Sequence, residues 1–144
     1  MTRNLLALCS ALFVFVIWLG LPALHYTQGT ATNISSEVLA EPFGSGDSLV
    51  YRLSADLVRS CDVNIRRSII DSDNVVTNLT TRVLSAAPGA DLGPIVFEFD
   101  VPVPLRIAEG PAVYQVVEVP RCSWIQRLFP VAIPYPPVAF MVTR

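Results

Sequence analysis

LVYRLSADLV, residues 49–58, decides the architecture. Leu49, Tyr51, Leu53, Ala55 and Leu57 fall at every second position, with Arg52, Ser54 and Asp56 between them. Side chains alternate across a strand, so one face of this segment is apolar and the other wet. Ile95, Phe97, Phe99, Val101 and Val103 repeat the alternation, opposed by Glu98 and Asp100. Cys61, Val63 and Ile65 continue an inward face against Asp62, Asn64 and Arg66. The pattern shifts at Arg66-Arg67, which predicts a bulge or bend with that pair facing solvent. Asp71-Ser72-Asp73-Asn74 is a turn cluster, residues 75–84 are rich in Val and Thr, and residues 112–119 form a further β run. Residues 85–94 read as a loop, and a turn surrounds Glu109-Gly110-Pro111. No segment after residue 24 shows sustained helical periodicity. Five or more strands in about 100 residues predict an antiparallel β-sandwich, immunoglobulin-like, with a small β-barrel as the alternative.

The N-terminus differs in kind. Residues 5–24, LLALCSALFVFVIWLGLPAL, carry no charge. At ~1.5 Å per residue they span roughly 30 Å, the hydrocarbon thickness of a bilayer. Arg3 precedes them and the next basic residue is Arg52. The positive-inside rule therefore places residues 1–4 in the cytoplasm and the rest outside, periplasmic or extracellular. Two readings stand: a transmembrane anchor, or a signal segment cut near Ala31 that releases a secreted domain. Residues 25–47 have the composition of a linker, with a short first strand possible around Val38, Leu39 and Phe43. Residues 48–144 make up the extracytoplasmic β-domain.

Cys61 and Cys122 both lie beyond the segment 5–24, where disulfides persist, and a bridge between them is expected. A catalytic thiol needs a base, and the single histidine, His25, sits at the membrane edge. Two cysteines and one distant histidine do not make a zinc site, so no metal and no cofactor is expected. The carboxylates Glu98 and Asp100 share a strand face about 7 Å apart by strand rise, and read as a solvated face rather than an acid–base pair. Asp71 and Asp73 read as turn residues rather than calcium ligands, since the glycine and distal glutamate of an EF-hand loop are missing. No phosphate-binding or nucleophile-elbow motif occurs, so no catalytic residue is assigned. A net charge of −2 without a basic cluster argues against nucleic acid.

WIQRLFPVAIPYPPVAF, residues 124–140, is apolar but holds Pro130, Pro134, Pro136 and Pro137. Each proline removes an amide donor, which excludes both a membrane helix and a central strand. An extended strip is expected, closing with Val138, Phe140 and Val142 as the last strand. Trp124, Phe129, Tyr135, Pro136 and Pro137 form the candidate binding surface. The alternative is that these residues pack against the domain, and the exposure of Trp124 and Tyr135 discriminates the two.

Cys61, Gly110-Pro111-Ala112-x-Tyr114, Cys122, Leu128-Phe129-Pro130 and Pro136-Pro137-Val138-x-Phe140 occur in that order. In this the chain resembles uncharacterised small single-pass membrane proteins of tailed bacteriophages of proteobacteria, over residues 5–24 and 48–144. It departs from them where Cys122 follows Pro120-Arg121 rather than an aromatic residue. The resemblance implies an extracytoplasmic location and a disulfide, and no chemistry. The expected function is a non-enzymatic binding or structural module tethered by residues 5–24 and acting on an envelope protein. An envelope-active lysis or cell-wall factor is the alternative.

Overall fold

In the computed structural model, residues 10, 12–18, 27–39, 43–86 and 91–143 are described. The chain is mainly β, as two sheets curled into an open half-barrel. Its strands are β1 (Ala31–Val38), β2 (Phe43–Gly44), β3 (Ser48–Leu57), β4 (Val63–Ile70), β5 (Val76–Leu84), β6 (Gly93–Pro102), β7 (Gly110–Pro120), β8 (Ile133–Pro134) and β9 (Val138–Thr143). One sheet has the order β1-β3-β6. The other has the order β2-β9-β7-β4-β5, with β8 also paired to β7. All pairings are antiparallel except the short β2–β9 pair.

The alternation in residues 49–58 and 95–103 produces the central ladder of the first sheet. β3 and β6 pair without interruption from Ser48↔Pro102 to Leu57↔Gly93. Pro94 and Pro102 are tolerated because β6 is an outer strand, with one edge free of ladder bonds. On the wet face, Arg52 lies between its register partners Glu37 and Glu98 and bonds both, at 2.9 and 2.8 Å. All three side chains are well exposed, so the triplet adds ~1 kcal/mol or less per pair. Its larger effect is on register, because a one-residue slip would put these charges inside.

The inner faces meet at one end of the molecule. Leu49 and Val101 from the first sheet pack with Ile69, Ala112, Tyr114, Val138, Phe140 and Val142 from the second, all buried. Tyr51 stacks on its cross-strand partner Phe99 at 5.4 Å and meets the Tyr114 ring across the sheets at 5.2 Å. Toward the other end the faces part, and Phe97 and Leu84 are about half exposed. The turn joining β4 to β5 is held by Asp71, whose carboxylate accepts the amides of Asp73, Val75 and Ala108. Asn74 adopts a left-handed conformation there, φ 62°, which asparagine tolerates better than most residues.

Two expectations change, and a third lies largely outside the described residues. Residues 31–38, inside the stretch read as linker, form the eight-residue β1. Its polar side chains suit an outer strand wet on one face, while Val38 packs on the core and pairs with Tyr51. Residues 124–128 are not extended but form a short helix, Trp124–Leu128. Ser123 caps it by accepting from the Gln126 amide, and the Gln126 side chain accepts in turn from the Cys122 amide. Of the expected anchor 5–24, residues 10 and 12–18 are described, and they are helical with exposed apolar side chains. The rest of that segment lies outside the described residues. Among the described residues no helix is long and apolar enough to cross a membrane.

Candidate functional site

Cys61 precedes β4 by two residues, at the end of a ladder whose last pair is Val63↔Pro120, and Cys122 follows β7 by two residues. The two are bridged, with Cα atoms 5.0 Å apart. The disulfide closes the end of the second sheet where the facing sheet has begun to diverge.

The candidate surface does not stay together. Trp124 is 45% exposed and Phe129 64%, and both project from the short helix and its end beside exposed Leu128. The Trp18 ring, from the N-terminal helical residues, stacks on Trp124 at 6.3 Å. Tyr135 is half-buried and turned inward, donating its hydroxyl to Glu118 at 2.8 Å. Pro136 and Pro137 are exposed beyond it. Burial and the neighbouring Glu118 charge push the Tyr135 hydroxyl far above the usual tyrosine range. The proposed strip is therefore split: Trp124 and Phe129 face outward, Tyr135 belongs to the interior, and the prolines flank β9.

The carboxylate pairs are used elsewhere. Glu98 is tied to Arg52 on an exposed face. Both Asp71 oxygens accept backbone amides, and those bonds, Val75 foremost, hold its carboxyl below the ordinary range.

The feature that the sequence does not disclose is an apolar cleft of about 410 Å³ between the parted ends of the sheets. Leu53, Ala55, Leu57, Ile95 and Phe97 line it from the first sheet, and Val63, Ile65 and Leu84 from the second. Its two free strand edges, β5 and β6, face solvent. Arg67 and Arg82 also line it. The expectation that Arg66-Arg67 faces solvent fails for Arg67. On β4, Arg67 has the same parity as Val63, Ile65 and Ile69, which places it on the inner face. The β4–β5 register shifts between Ile65 and Arg67, so Arg67 faces Leu79 while Arg82, opposite Ile65, lines the same cleft. Arg67 donates to the Thr80 carbonyl through Nε and Nη2, at 3.3 and 2.7 Å. Arg82 makes no hydrogen bond or ion pair among the described residues.

Two tyrosines close the deep end of the cleft. Burial drives the Tyr51 hydroxyl far above its ordinary value, and the Tyr114 hydroxyl upward as well, while the positive charges of Arg67 and Arg82 oppose both shifts. The Tyr114 hydroxyl is buried and makes no hydrogen bond of good geometry among the described residues, although the Tyr51 hydroxyl and the Arg67 guanidinium lie close enough to oppose its upward shift. An orphaned buried hydroxyl costs ~1–3 kcal/mol and is exceptional in a folded protein.

Sequence reading also missed Glu118. It is fully buried on β7, accepts the Thr30 amide at 2.7 Å through Oε1, and accepts the Tyr135 hydroxyl through Oε2. Its parity with Val116 and Tyr114 on the inner face was readable, but a glutamate there looks like a break in the pattern until its partners are known. Glu118 pins the chain entering β1 to the strip leaving β8. No protein-family model matches this chain, and no curated protein aligns with it.

Proposed function

We propose that this chain is a non-enzymatic binding module, encoded by a phage or a bacterium, tethered to the membrane by residues 5–24 and holding its β-domain outside the cytoplasm at the cell envelope. The observation that carries the binding reading is the open apolar cleft lined by both sheets. A core of this size ordinarily closes, since each exposed apolar side chain forfeits ~1.5–3 kcal/mol of burial. A persistent concave apolar site is the usual form of a ligand pocket. The strand order supports an immunoglobulin-like sandwich: β1-β3-β6 faces β9-β7-β4-β5, with the fourth long strand paired to the third rather than to the fifth. That fold carries no function with it.

The stacking of Trp18 on Trp124 supports the tether. It puts the exposed Trp124, Leu128 and Phe129 beside the outer part of the proposed span, where aromatic rings favour the bilayer interface. Arg121 and Arg127 flank this patch, and no acidic residue occurs after Glu118. The buried Thr30–Glu118 bond argues against cleavage near Ala31, which would detach a pinned residue from its own strand.

The test uses the full chain. Protease added to intact spheroplasts should digest the β-domain, and in nanodiscs an environment-sensitive apolar dye should bind saturably above the background of empty discs. Ala55→Phe, which fills the cleft, should abolish the saturable part. Protection from external protease, or dye binding indifferent to Ala55→Phe, would overturn the proposal.

A further inference from the structure

We infer that the cleft binds a single-chain fatty carboxylate, its tail along Leu53, Ala55, Ile95 and Val63 and its carboxylate on the Arg67 and Arg82 guanidiniums. This deepens the binding reading above and rests on it. Three observations converge. The first is charge. Among the described lining residues there are three arginines, Arg59, Arg67 and Arg82, and one acidic residue, Asp91, a formal balance of 3 − 1 = +2. Arg59 is engaged by the Gln28 side chain, whereas neither Arg67 nor Arg82 has an acidic partner among the described residues. Arg67 is partly buried and meets only the Thr80 carbonyl among the described residues, so its guanidinium gains from an anion, and the exposed Arg82 lines the same cleft. Two planar guanidiniums lining one cleft suit a carboxylate, which can accept two parallel bonds.

The second observation is the Tyr114 hydroxyl. It is 1% exposed, lines the same cleft and makes no hydrogen bond of good geometry among the described residues, with the Tyr51 hydroxyl and the Arg67 guanidinium as its polar neighbours. A carboxylate oxygen between the arginines and the tyrosine would satisfy it. The third is shape. The cleft follows the strands from Tyr51 to Leu57, ~20 Å at ~3.3 Å per residue, the length of one extended long acyl chain. Its volume of about 410 Å³ lies at the low end for ligand sites. That favours one chain over the two of a phospholipid. Arg67 and Arg82 lie toward the tyrosine end and Leu53, Ala55, Val63 and Ile95 line the middle, while Arg59, Ser60, Ser85 and Asp91 add polar groups around the Leu57 end.

The experiment is displacement of the apolar dye from the full chain in nanodiscs by palmitate, hexadecanol or a palmitoyl lysophospholipid, with carboxyl-labelled palmitate followed by NMR. Palmitate should displace the dye at one equivalent and show a bound carboxyl resonance distinct from the bilayer-partitioned one. Hexadecanol should bind at least ~10-fold more weakly, the weight of one charge-assisted contact. The Arg67→Gln, Arg82→Gln double variant should lose about tenfold or more for palmitate and almost nothing for hexadecanol. Arg82→Glu, at an exposed position where folding is not at stake, should weaken palmitate alone. Equal potency of palmitate and hexadecanol, or palmitate affinity unchanged in both variants, sinks the inference. Tighter binding of the lysophospholipid than of palmitate also overturns it, by reassigning the headgroup. If the dye binds but no amphiphile displaces it, the ligand class is wrong and the binding function stands; if the dye does not bind, both fall.

Discussion

Glu118→Ala tests how the domain holds its ends together. Glu118 is fully buried and its two carboxyl oxygens take the Thr30 amide at 2.7 Å and the Tyr135 hydroxyl at 2.8 Å. Truncation orphans both donors in the interior. At ~1–3 kcal/mol for each, the loss lies between about 2 and 6 kcal/mol. Water entering the vacated space offsets part of it, so ~3 kcal/mol is expected, a large share of the ~5–15 kcal/mol typical of a domain. With a urea slope near ~2 kcal/mol per molar, the unfolding midpoint should fall by about 1.5 M. The assay is urea denaturation of the full chain in mild detergent, followed by tryptophan fluorescence, since Trp124 sits two residues from the disulfide. Tyr135→Phe alone should cost about 1 kcal/mol, and the double variant little more than Glu118→Ala, because the same contact is removed twice. A midpoint shift under about 0.3 M for Glu118→Ala, or strict additivity with Tyr135→Phe, would refute the claim that this carboxyl pins the two segments.

Reducing the Cys61–Cys122 bridge, or replacing both cysteines by alanine, reopens a loop with a sequence separation of 61, worth roughly 4 kcal/mol in the chain-entropy model. Denaturant midpoints with and without reductant measure it, and an unchanged midpoint would show that the bridge contributes nothing. Tyr51, Tyr114 and Tyr135 all have hydroxyls raised above the ordinary value. The unfolded chain therefore releases these protons first as pH rises. Stability should be full below about pH 10 and decline above it, by up to ~1.4 kcal/mol per pH unit per tyrosine. Ultraviolet titration should show these tyrosines ionising only as the fold melts; early, reversible ionisation of all of them would contradict their burial. Asp71 works in the opposite sense. Its carboxyl is held low by backbone amides, so its stabilisation is present above about pH 4 and disappears as pH falls through its folded value. The midpoint gap between wild type and Asp71→Ala should close in acid, and a gap that persists there would show that the contribution is not electrostatic.

Much of the sheet was legible because strand alternation is a local property. The inner faces of β3 and β6 and the closing Val138, Phe140 and Val142 of β9 follow from period two alone. The short helix was legible too, through Ser123-x-x-Gln126, a capping pattern overshadowed by the prolines after it. β1 was harder, since threonine, serine and asparagine describe a tether as well as they describe a wet outer strand. Arg67 could not be placed, because a bulge on one side of β4 coexists with unbroken register on the other.

By itself the sequence determined that this chain is a two-faced β-structure behind an apolar N-terminal segment, with two cysteines positioned to cross-link it. The tertiary structure alone decided that the sheets close tightly around Leu49, Ile69, Val101 and Tyr114 but stay apart around Phe97 and Leu84. It also decided that Glu118 finds partners 88 and 17 residues away, and that Arg67, half-buried, and Arg82, exposed, line one cleft. The physical reason is the range of the forces. Alternation records which side of one strand is apolar, whereas the gap between two sheets depends on how side chains distant in sequence fill the space between them.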